Sequence, residues 1–104
     1  MLIIETYKYI SSNKNEFTLS RQLLKSGTSI GANIREAEFA QSNKDFISKM
    51  SIALKESSET EYWLMLLKDS NYLEPQNFDK LITLNRELIK MLVSTINTMK
   101  LKPQ

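Results

Sequence analysis

Glu56, Glu59 and Glu61, followed at once by Tyr62 and Trp63, are the residues whose types and spacing come nearest to a reactive constellation. Paired carboxylates can exchange protons as acid and base, or hold a divalent cation. A di-metal helical bundle, however, uses an inward Glu-x-x-His pair, and this sequence has no histidine. It has no cysteine either, so thiolate chemistry and disulfides are excluded. Without histidine, the commonest general base and zinc ligand are missing as well. No phosphate loop, dinucleotide fingerprint or Ser–His–Asp set occurs. The three glutamates are therefore read as solvated, or paired with cations such as Lys55 and Arg35. The chain is expected to be non-enzymatic, with no catalytic residue, metal, cofactor or small-molecule substrate.

A second constellation is basic. Arg21, Lys25, Arg35, Lys44 and Lys49 could form a diffuse positive surface from the second helical segment into the third. Phosphate contact needs only positive charge and gives salt-dependent affinity. The net charge is only +2, too small to name a nucleic-acid partner by itself. The first 55 residues carry eight Lys/Arg against five Asp/Glu, and the remainder six against seven, a weak asymmetry toward a basic face. Tyr62 and Trp63 could stack on bases. Adjacent helical positions point in different directions, which predicts one ring for the core and the other for a subunit contact.

The stretch Ser26-Gly27-Thr28-Ser29-Ile30-Gly31-Ala32-Asn33-Ile34-Arg35-Glu36-Ala37 holds residues that helices disfavour, inside an apolar pattern of helical period. Each glycine costs about 1 kcal/mol against alanine, and Ser, Thr and Asn compete for local backbone hydrogen bonds. Ser29, Asn33 and Glu36 share one stripe, with Ser26 beside it. This stripe reads either as a polar platform for a phosphate backbone or a protein, or as a polar seam between helices. In a seam, partners would come from Ser57, Ser58 or Thr60, because buried polar groups must be paired. The missing side chains of Gly27 and Gly31 favour the seam. Gly27, Ser29, Gly31, Asn33 and Glu36 are accordingly taken as a helix-packing motif.

Four helical elements would position these groups, over about residues 2–12, 17–40, 44–71 and 75–99. In the first, Ile3, Tyr7 and Ile10 share a stripe; in the second, Leu23, Gly27, Ile30, Ile34 and Ala37 do so. Ser42 with Asp45 three residues later has the form of a cap that starts the third. Its stripe is Phe46, Met50, Ala53, Ser57, Leu64 and Leu67, widened by Ile47, Leu54 and Met65. Pro75 suits the first turn of the fourth. There Phe78, Leu81, Asn85, Leu88, Leu92 and Met99 are predicted to face the core, while Leu84, Ile89, Met91, Val93 and Ile96 lie off that stripe. A helix apolar around so much of its circumference is covered on more than one side, which points to a homo-oligomer.

Residues 1–104 form one domain on this reading: an all-α, antiparallel up-down four-helix bundle with a short first helix. Only two glycines and two prolines occur, too few for an all-β fold with its many tight turns. No apolar run is long enough to cross a membrane, and the first residues lack the basic and apolar regions of a signal peptide. The expected location is cytoplasmic.

The segment Gln22-Leu23-Leu24-Lys25-Ser26-Gly27-Thr28-Ser29-Ile30-Gly31-Ala32-Asn33-Ile34-Arg35-Glu36-Ala37 resembles the signature of a bacterial four-helix-bundle family, the proteins encoded in intervening sequences of 23S ribosomal RNA genes. Ser42-Asn43-Lys44-Asp45-Phe46-Ile47, Ile52-Ala53-Leu54-Lys55-Glu56 and Glu59-Thr60-Glu61-Tyr62-Trp63-Leu64 resemble its third helix. The resemblance covers about residues 16–100. It implies an up-down bundle that assembles into a ring, often a pentamer. A related branch, the accessory protein of diversity-generating retroelements, binds nucleic acid and pairs with a reverse transcriptase. The short first helix and the low net charge depart from those patterns. The functional expectation is a non-enzymatic oligomeric scaffold associated with RNA or with a nucleic-acid-processing protein. The alternative is a pure protein–protein interaction module.

Overall fold

Ser42 adopts an extended backbone and its Oγ accepts the Asp45 N–H at 3.0 Å, while the Asp45 carboxylate accepts the Gln41 N–H at 3.4 Å. This reciprocal cap satisfies donors that a helix start leaves open. The computed structural model describes residues 2–102, with four helices: α1 (Leu2–Asn13), α2 (Thr18–Glu38), α3 (Asn43–Asp69) and α4 (Pro75–Lys100). No strand occurs among the described residues. Every helix boundary lies within two residues of the predicted one. α2 stops at Glu38 because Phe39 and Ala40 donate to Glu36 and Ala37, three residues back, which tightens and closes the last turn.

The two ends of the upper bundle are set by asparagines. After α3, Asn71 takes φ 65°, Tyr72 N–H donates to the Leu67 carbonyl at 2.9 Å, and Asn71 N–H donates to Lys68 at 3.0 Å. This is a Schellman closure with asparagine where glycine is commonest. Asn15 at φ 54° turns the chain between α1 and α2. The next residue, Glu16, accepts the N–H groups of Thr18, Leu19 and Ser20 at 3.1, 2.9 and 2.8 Å. One carboxylate thus satisfies three donors and faces the positive end of the helix. The sequence reading placed no cap there, because Glu is not among the favoured N-cap types.

The helices alternate in direction and form a body of 50 × 20 × 18 Å. α2 packs along α3, α3 along α4, and α1 rests on α2. Two apolar clusters fill the interior. The upper one draws Ile10, Leu23, Leu64, Leu67, Phe78 and Leu81 from all four helices. The lower one, with Ile30, Ala37, Met50, Ala53, Leu92 and Ile96, draws on only three. Between them in sequence on each long helix lie the buried polar residues Ser26, Ser57, Thr60 and Asn85.

Four core assignments are corrected. Ile96, placed off the stripe of α4, is buried, because α4 packs chiefly on α3 and its buried strip is centred toward that helix. Leu88 and Met99, assigned to the stripe, are only half-buried for the same reason. Met65, taken to widen the core face of α3, is 42% exposed, one position round the helix from buried Leu64.

Candidate interaction surface

The two glycines of α2 lie four residues apart, yet their surroundings differ. A Cβ added at Gly27 would lie 2.8 Å from Ile3 Cγ2, so the missing side chain is what lets the start of α1 settle on α2. A Cβ added at Gly31 would meet nothing within 4 Å. The described part of α1 begins at Leu2, next to Gly27. Its 12 residues reach about 18 Å, whereas the 26 residues of α4 reach about 39 Å. Below Leu2 and Ile3, α2 and α4 therefore border an open groove of about 330 Å³. Ile30, Gly31 and Ile34 form one wall, Leu84 and Leu88 the other, and Thr60 and Leu64 of α3 contribute to the lining.

The polar layer is closed upon itself. Thr60 Oγ1 donates to Ser26 Oγ at 3.0 Å, and Asn85 Nδ2 donates to the Ser57 carbonyl at 2.9 Å. Of the seam partners named from sequence, Thr60 meets Ser26 of α2, Ser57 turns its hydroxyl to the Ala53 carbonyl of its own helix and offers only its backbone carbonyl to Asn85, and Ser58 is exposed. Ser29 and Asn33 instead bond to their own helix, Ser29 Oγ to Lys25 O at 2.7 Å and Asn33 Nδ2 to Ser29 O at 2.9 Å. Glu36 pairs with Lys49 of α3 at 3.4 Å. No buried side-chain polar atom among the described residues lacks a partner, so the layer fixes the register of three helices without a free group for chemistry.

The basic residues are distributed over several faces. Arg21 and Lys25, one turn apart, lie exposed on α2, and Lys44 lies exposed at the start of α3. Lys49 is engaged by Glu36. Arg35 is exposed, with its guanidinium carbon 5.8 Å from the centroid of the Phe39 ring. Among the glutamates, Glu61 accepts from Arg86 Nε at 3.2 Å, while Glu59 is exposed. No group of three or more Asp, Glu, His or Cys among the described residues could hold a metal ion. Trp63 packs against the upper cluster, and Tyr62 is exposed, with the two rings edge-on at 4.9 Å. No helix is long and apolar enough to cross a membrane among the described residues.

The groove escaped sequence reading because it depends on the heights at which α1, α2 and α4 sit beside Gly31. Comparison with known proteins bears on the same segments. No curated protein matches the chain. A crystal structure of a protein with unknown function from the S23 ribosomal protein family of Bacteroides thetaiotaomicron is 50% identical, with a TM-score of 0.89, over 90% of this chain and 87% of that one. The family model described as 23S rRNA-intervening sequence protein matches residues 1–94. The chain belongs to the 23S rRNA-intervening sequence protein family.

Proposed function

We propose that this protein is a non-enzymatic scaffold that works as an assembly of identical copies. The observation that carries this reading is the apolar surface of α4 on two sides. Leu84 and Met91 are 48% and 50% exposed on the side toward α2, and Val93 is 40% exposed on another side. Single exposed apolar residues are ordinary, but an accumulation on one helix of a small domain marks an interaction surface. A domain of this size buries a limited share of its own surface, so covering these residues with further copies adds stability. Light scattering coupled to size-exclusion chromatography tests the reading, with a mass several times that of one chain expected. A single-chain mass throughout the concentration range overturns it.

Contact with RNA is a second reading, favoured by Arg21 and Lys25. They lie one turn apart, exposed, and neither has an ion pair among the described residues. An assembly would repeat this pair around its surface and multiply a weak phosphate contact. In filter binding with structured RNA at several salt concentrations, Arg21→Gln with Lys25→Gln should weaken binding and flatten its salt dependence. Wild-type binding no tighter than that of an unrelated protein of equal charge would remove RNA from the proposal.

A further inference from the structure

Residues 62–67, Tyr-Trp-Leu-Met-Leu-Leu, are six apolar residues in a row inside α3. A core on one side of a helix uses only every third or fourth of them. Leu64 and Leu67 are fully buried in the upper cluster, and half-buried Trp63 packs against it. Tyr62 and Leu66, two residues either side of Leu64, lie about 160° round the helix from it, on the outer side. Tyr62 is 58% and Met65 42% exposed, and Leu66 is half-buried. With Trp63 they form one apolar patch on the outside of α3, where folding of the chain asks for none. Apolar residues gathered in this way on a solvent face mark an interaction surface.

The polar neighbours define what fits it. Half-buried Glu56 and exposed Glu59 precede Trp63 at helical spacing and share its flank of α3. Neither carboxylate has an ion pair among the described residues, although Lys55 lies beside them. Glu61, on the other flank, is held by Arg86. The Trp63 edge of the patch is therefore negative, in a chain whose net charge is +2. Such an edge repels nucleic acid and anionic lipid and complements a segment that is both apolar and cationic. The backbone of α3 is hydrogen-bonded within the helix, so an added strand has nothing to pair with. Tyr62 and Leu66, four residues apart, instead form a ridge that packs into the surface groove of another helix. The ridge points away from the core and from Leu84 and Met91 of α4, so association of copies through α4 leaves it uncovered.

We propose that the Tyr62 face of α3 is the docking site for a cationic amphipathic helix of a different protein. Aliphatic residues of that helix lie against Tyr62, Met65 and Leu66, and its lysine or arginine side chains reach Glu56 and Glu59. The inference is independent of the self-association proposed above. It covers the apolar ridge and pairs two carboxylates that the chain leaves without a cation.

The test uses the full chain and a synthetic, tryptophan-free helix of about five turns, with a leucine stripe at helical spacing and lysines along both edges. One control peptide carries glutamate in place of lysine, and a second scrambles the leucines at constant charge. Trp63 is the only tryptophan and borders the patch, so its fluorescence reads binding directly. The lysine peptide should bind, and each control should bind about tenfold more weakly or worse. Tyr62→Lys, at an exposed position, should cost a similar factor. Glu56→Gln with Glu59→Gln should weaken binding and flatten its salt dependence. These variants should keep the helix content and mass of the wild type by circular dichroism and light scattering. Met65→Lys replaces Tyr62→Lys should that variant fail to fold. Equal binding of the scrambled peptide, wild-type affinity in the Tyr62 and glutamate variants, or no binding at all overturns the inference. A Tyr62→Lys protein of lower mass than wild type overturns it as well and assigns the face to a second copy of this chain.

Discussion

The upper and lower halves of this bundle are built from the same three long helices, yet among the described residues only the upper half is also covered by α1. Above the polar layer, α1 closes the gap between its neighbours, and Ile10, Leu23, Leu64 and Leu67 lose all solvent contact. Below it, the same gap stays open and leaves Gly31 bare. The lower cluster is also built from smaller groups, with Ala37 and Ala53 where the upper one has leucines. The difference teaches that a repeated glycine is not a repeated function. Gly27 is explained by its contact with Ile3, and no contact among the described residues explains Gly31.

The largest effect should come from the complete half. Leu64→Ala removes a fully buried side chain that touches the upper cluster. Such a change costs about 2–5 kcal/mol, depending on how far the cavity collapses, and urea unfolding measures it. Leu84→Ala, on the rim of the groove, should cost a small fraction of that in a single chain. Near-equal losses would mean that Leu84 is buried in solution, and the contrast between the halves would then belong to the isolated chain alone.

The glycines should respond with opposite signs. Gly27→Leu must displace Ile3 and lift the start of α1, at a cost of about 1–3 kcal/mol for overpacking. Gly31→Ala meets no neighbour within the chain and gains about 1 kcal/mol of helix propensity. Urea midpoints of the two variants against wild type decide the point. Destabilisation by Gly31→Ala would show that the space beside it is already occupied in solution.

The fold was legible from the sequence because its determinants are local. Apolar residues at helical spacing, the Ser42–Asp45 cap and Pro75 each announce a helix within a few residues of chain. The Thr60–Ser26 contact was legible as well, since a polar residue on an apolar stripe needs a partner. The groove was not, because it depends on the relative heights of α1, α2 and α4, which no local pattern encodes. The Ile96 and Met65 assignments failed for a related reason. Periodicity gives the apolar side of a helix, but the neighbour it packs on decides which edge of that side is covered.

Glu16→Ala should come next, at about 1 kcal/mol, the usual scale for a lost N-terminal cap. Three N–H donors of α2 lose their carboxylate partner, but one of them, that of Thr18, lies exposed where water can replace it. Hydrogen exchange should locate the effect in the first turn of α2. Faster exchange confined to the lower half would contradict the assignment of Glu16 to the upper end.

The smallest effect belongs to the lower half. Glu36 and Lys49 form an ion pair at 3.4 Å whose side chains are 58% and 31% exposed. Exposed pairs contribute about 0.2–1 kcal/mol, and salt screens them. Glu36→Gln should therefore shift the urea midpoint slightly at low salt and hardly at all at high salt. The pair joins α2 to α3, on the side of α2 away from Gly31. A loss that persists at high salt would mean that the pair is more enclosed than its exposure indicates, and the α2–α3 side of the lower half would then be better shielded than the side at Gly31.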